Sequence, residues 1–94
     1  MFTHIVLFKL SDRSAGNIEN TKEILMGMIH RIPVLLHLEV GIDVLHSERS
    51  YDLALVTKFA AREDLQTYNT HPAHEEVIKH MKTVVESSVS VDFE

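Results

Sequence analysis

Tyr68, His71 and His74 stand within one seven-residue run, Tyr-Asn-Thr-His-Pro-Ala-His. A neutral imidazole accepts a proton near neutral pH, and a phenol donates a hydrogen bond to a carbonyl or enolate oxygen. Together they suit proton abstraction alpha to a carbonyl, with His74 as the base and Tyr68 holding the oxygen. Pro72 favours the first position of a helix. That makes His71 a cap residue and puts His74 in the first turn. The positive end of a helix disfavours imidazolium, which biases His74 towards the neutral, proton-accepting form. The same residues also read structurally, with Tyr68 packed beneath the helix and both histidines bonded locally in the turn.

A third imidazole, His4, shares a strand face with Val6 and Phe8. Among apolar neighbours it reads first as a hydrogen-bonded core residue. If that face lines a cavity, His4 can pair with His74, and Val6 and Phe8 become ligand-contacting walls. No metal is expected. His71 and His74 are spaced i, i+3 and Glu76 and His80 i, i+4, but zinc needs three or four converging ligands and no His-Glu-x-x-His is present. His30, His37, His46 and His80 are expected on solvated surfaces or helix ends. The run Ser47-Glu48-Arg49-Ser50-Tyr51-Asp52 reads as a connector carrying a surface or dimer-contact ion pair.

The rest of the composition narrows the classes. The chain has 94 residues, seven His and no Cys, which removes disulfides, thiolate zinc sites, Fe–S clusters and Cys nucleophiles together. It also fits a reducing, cytoplasmic setting. No Gly-rich phosphate loop occurs, so a nucleotide cradle is not expected, and no Gly-x-Ser-x-Gly nucleophile motif is present; no cofactor is expected. The net charge is -5 with His neutral, and Lys and Arg form no cluster, which argues against nucleic acid or an anionic membrane as partner. No apolar run approaches the ~18 residues of a membrane span. The start, Met1-Phe2-Thr3-His4-Ile5, lacks the basic region of a signal peptide.

The elements that must position these residues follow from periodicity. Phe2 to Leu10 is a strand apolar on both faces and so covered on both sides. A polar turn, Ser11 to Ser14, leads into a helix over Ala15 to Arg31, with Glu19 and Glu23 early, Arg31 late and Pro33 ending it. Leu38 to Leu45 alternates as a strand with Leu38, Val40, Ile42 and Val44 inward. Tyr51 to Phe59 is the third strand, paired with the second as an antiparallel hairpin. Arg62 to Tyr68 makes a short helical turn. Pro72 to Glu86 is a second helix with an apolar stripe of Val77, Ile78, Met81, Val84 and Val85. Ser87 to Phe93 is a fourth strand, with Val89, Val91 and Phe93 in and Ser88, Ser90 and Asp92 out.

The order β-α-β-β-α-β is the ferredoxin-like α+β pattern, one domain over residues 1–94 with both helices on one sheet face. The opposite face is apolar and needs cover. The economical cover is a second copy of the chain, two sheets face to face in a homodimer. The closing strand is expected to reach across or beside that partner.

Five segments in order, HIVLFKL, IP…LEVGID, SERSYDLALVTKF, DL..Y..HPAH and the closing VDFE, resemble the stress-responsive A/B barrel domain. The resemblance spans nearly the whole chain and implies a dimeric α+β barrel of facing ferredoxin-like sheets. Some plant members are stress-associated proteins, and one is a polyketide cyclase. Its working pair matches Tyr68 and His74, a further pocket histidine matches His4, and His71 matches as well. A pocket histidine of that cyclase on the third strand is replaced here by Leu53, which makes that wall apolar. Three functions follow: a small-molecule-binding barrel without turnover, a lyase or cyclase acting on an apolar carbonyl compound through His74 and Tyr68, or a purely structural stress-associated dimer. Cofactor-free monooxygenases share a related sheet arrangement, which is analogy at the level of fold.

Overall fold

The computed structural model describes residues 1–94. Strand β1 is Phe2–Leu10, helix α1 Ala15–Met26, β2 His37–Ile42, β3 Leu53–Phe59, α2 Asp64–Thr70, α3 Pro72–Val84 and β4 Val85–Phe93. The four strands form one antiparallel sheet in the order β2-β3-β1-β4. This is the ferredoxin-like fold expected from the element order, with α2 as an additional short helix.

Alternation sorts the sheet into two faces. On one, Phe2, Phe8 and Leu10 of β1 join Leu53, Leu55 and Phe59 of β3 and Val40 of β2. They pack against Ile18, Leu25, Met28, Tyr68, Ala73, Val77 and Met81 from the helices in a single core. On the other, Ile5 and Leu7 of β1 lie opposite Val91 and Val89 of β4, and opposite Val56 and Ala54 of β3. No element of the chain covers this face. Val89, Val91 and Phe93 are 48%, 54% and 49% exposed. The expected sidedness of β4 is therefore reversed. Its valines and Phe93 face away from the helices, while Ser88, Ser90 and Asp92 share the face of Phe8, Val6 and His4.

The element ends differ from the sequence reading for identifiable reasons. Helix α1 begins at a serine cap, where Ser14 Oγ accepts from the Asn17 N–H at 3.4 Å. It stops at Met26 and tightens into a 3-10 turn over Gly27–His30. The weak helix propensity of glycine and the tendency of helix ends to tighten account for the break. Glu19 and Glu23 fall outside the first turn. Strand β2 ends at Ile42 because Asp43 closes a turn, its Oδ2 accepting from the His46 N–H at 2.7 Å. His46 adopts a φ of 54° there. Val44 and Leu45 are consequently exposed.

Strand β3 begins only at Leu53, because Asp52 is turned inward at 3% exposure. Its carboxylate accepts from the Leu10 N–H at 2.8 Å and from Arg13 Nε at 2.9 Å. The expected surface ion pair of this connector is thus a carboxylate buried beneath the sheet end. Helix α3 passes into β4 without a loop, since Val85 is already extended. The Ser11 N–H donates to the Val84 carbonyl at 2.9 Å and pins that junction to the end of β1.

Candidate functional site

His71 and Pro72 start α3 as their types demand. His71 is extended, and its Nδ1 accepts from the Ala73 N–H at 3.0 Å. Pro72 takes the first helical position. His74 follows in the first turn and lies over Tyr68, with ring centroids 4.5 Å apart at 56°. Tyr68 is 1% exposed and also meets Phe59 edge-on at 5.2 Å. Its hydroxyl donates to Met28 Sδ at 3.8 Å, a weak acceptor.

The His74 ring is fixed by the backbone. A carbonyl only accepts, so the 3.0 Å contact between His74 Nδ1 and the Asn69 oxygen is an Nδ1–H donation. In the neutral ring the lone pair is then on Nε2. Burial pushes the His74 pKa below its ordinary value of 6.5. The Asn69 carbonyl opposes that shift, the nearby His4 adds to it and Glu75 opposes it. Burial, rather than the helix end, is the leading cause. Burial also raises the Tyr68 phenol, which stays protonated at neutral pH.

Between α3 and the sheet lies a cavity of about 310 Å³. Its sheet wall is His4, Val6, Phe8, Leu55, Ser88 and Ser90, and its helix wall includes His74, Val77, Ile78 and Met81. Tyr68, Met28 and Leu25 close the inner end. The lining is mostly apolar, and its titratable groups are the imidazoles of His4 and His74 and the Tyr68 phenol. His4 is held by Asp92, which stands opposite it in the β1–β4 register and engages its Nδ1 through Oδ1.

Of the residues singled out in the sequence, His4, Val6, Phe8, Tyr68 and His74 meet at this cavity. His71 caps α3 instead of lining the cavity, and Leu53 lies in the core beside Phe8, where Leu55 is the β3 residue that reaches the cavity wall. Asp92, Ser88 and Ser90, expected on the outer side of β4, lie on its inner side instead. The antiparallel register with His4, Val6 and Phe8 is the signal that puts them inward. His30, His37 and His46 are exposed as expected, whereas His80 is half-buried with its Nε2 enclosed and unpartnered. No cluster of three or more His, Asp or Glu side chains is arranged to hold a metal ion. No helix is long and apolar enough to cross a membrane.

A four-stranded antiparallel sheet with helices on one face and a half-buried His packed on a buried Tyr defines a ferredoxin-like α+β domain with a cavity between helix and sheet. The stress-responsive A/B barrel domain model matches residues 2–94, and the chain belongs to that family. A dimeric protein of unknown function and ferredoxin-like fold from Bacteroides fragilis is 32% identical, with a TM-score of 0.84 over 99% of this chain and 94% of that one. A dimeric ferredoxin-like protein of unknown function from Thermobifida fusca is 25% identical, with a TM-score of 0.85 over 98% and 88%. A hydroxynitrile lyase from Passiflora edulis is 16% identical, with a TM-score of 0.79 over 98% and 90%, a likeness of fold alone. Comparison with curated proteins gives no match.

Proposed function

We propose that the chain is a homodimeric, cofactor-free barrel protein that encloses a small apolar, carbonyl-bearing molecule between α3 and the sheet. The observation that carries the reading is the His74 imidazole. It is half-buried at the wall of a mostly apolar cavity, its tautomer is set by Asn69, and its pKa is held low. A carbonyl compound of modest size meets apolar walls on most sides, with His4, His74 and Tyr68 among the few polar groups. A purely structural dimer has no need of that arrangement. The uncovered sheet face and the dimeric Bacteroides and Thermobifida neighbours support self-association through that face.

The fixed tautomer favours a second reading of the same site, in which bound ligand is turned over. His74 Nε2 takes a proton from the carbon alpha to the carbonyl, the electron pair moves onto oxygen as an enolate, and the proton returns to carbon or to a leaving group. The enolate oxygen needs a donor. The Tyr68 hydroxyl, otherwise bonded only to a thioether, supplies one. Deuterium exchange at the alpha carbon of 2-tetralone in heavy water tests both readings, with binding followed in parallel. Binding without accelerated exchange leaves the carrier reading and removes the enzyme. Absence of binding by 2-tetralone and similar aryl ketones removes both.

A further inference from the structure

The cavity is two-sided in polarity. Val77, Ile78 and Met81 of α3 make one wall apolar, while Ser88 and Ser90 line the opposite side along β4. In register, Ser88 stands beside Phe8 and Ser90 beside Val6. Both serines are exposed to the cavity opening, and neither hydroxyl takes part in the side-chain hydrogen bonds of the chain. Alternate residues of a strand lie about 7 Å apart on one face. Two unengaged hydroxyls therefore stand in line on an edge strand, across from an aliphatic wall, with Asp92 and His4 continuing the same line.

We propose that Ser88 and Ser90 form a polar ladder that selects flat, ring-bearing molecules with two oxygen functions about 7 Å apart along one edge. The apolar body of such a molecule lies against α3, and its oxygenated edge lies along β4. This rests on the cavity reading above and adds a ligand class to it: aromatic or cyclic polyoxygenated compounds rather than simple ketones or acyl chains.

Naphthols test the ladder directly, because their own fluorescence reports binding in a chain with no Trp. In 2,7-dihydroxynaphthalene the two hydroxyls lie on one edge, matching the about 7 Å step of the strand, whereas 2-naphthol has one. The full chain is titrated with both, as wild type, as Ser88→Ala/Ser90→Ala and as Ser88→Thr/Ser90→Thr. One additional hydrogen bond corresponds to about a tenfold preference for the diol in wild type. The alanine pair should bind both probes alike, and the threonine pair, which keeps the hydroxyls, should retain the preference. Equal binding of the two probes to wild type, or a preference that survives in the alanine pair, overturns the ladder and leaves the cavity reading standing. If neither naphthol binds while 2-tetralone does, the ladder falls and the cavity reading stands; if none of the three binds, both fall.

Discussion

The Nδ1–H of His74 is donated to the backbone carbonyl of Asn69 at 3.0 Å, across the turn that joins α2 to α3. One backbone oxygen thereby decides which ring nitrogen carries the proton, and it leaves Nε2 as the free base. Replacing His74 by Gln removes that base while keeping a polar side chain of similar reach. Exchange at the alpha carbon of 2-tetralone should fall by about 10²-fold or more, with an unchanged far-ultraviolet spectrum. An unchanged exchange rate would take His74 out of the chemistry.

The lowered pKa of His74 has a definite sign in both activity and stability. The proton-accepting form dominates above the folded pKa, so the exchange rate should rise through a midpoint below 6.5 and be flat at pH 7. The unfolded chain binds the His74 proton more readily than the folded one. Stability contributed by this group is complete above 6.5 and declines as pH falls towards the lowered folded value. Urea midpoints measured across that interval should show a shallower slope in His74→Gln than in wild type.

Tyr68→Phe removes a hydroxyl whose bonded partner is the sulfur of Met28. Because a thioether is a weak acceptor, the loss of stability should be under about 1 kcal/mol. Exchange in bound 2-tetralone should fall far more than that figure implies. Equal, small effects on both would confine Tyr68 to packing.

Asp52 is the buried carboxylate at the end of the sheet, accepting from the Leu10 N–H and from Arg13. Asp52→Ala leaves a buried backbone donor without a partner and should cost about 2–4 kcal/mol in urea denaturation. The Asp52 side chain does not line the cavity, so naphthol binding to the fraction that remains folded should be little altered.

Val91 and Phe93 lie on the uncovered face of β4. In sedimentation velocity the wild-type chain should run as a species of twice 10.7 kDa. Val91→Lys/Phe93→Lys should run at the monomer mass, because a pair of buried charges repels its copy across the facing sheet. A wild-type monomer at high concentration would remove the sheet-to-sheet dimer.

The pattern of apolar residues carried the element order, the hairpin and the two-sided first strand, because alternation and helical spacing are local properties. The His-Pro-Ala-His start of α3 was legible for the same reason: Pro72 and a capping His71 act on the turn they belong to. Three things were not local. Val44 continues the alternation of β2, but the Asp43 turn ends the strand before it. Asp52 looks like a connector charge until Leu10 and Arg13, distant in sequence, come to meet it. Alternation in β4 distinguishes two faces without saying which one the helices cover, so Asp92 and its bond to His4 emerged only with the register of β1.

Position parity along β4 therefore separates two properties of the molecule. Even-numbered side chains from Ser88 to Asp92 address the interior, and odd-numbered ones from Val89 to Phe93 address the outside. On the proposed function, recognition of a guest and recognition of another copy should be alterable independently by point changes in the same nine-residue strand. A single inserted residue near Ser87 would exchange the two sets and abolish both at once.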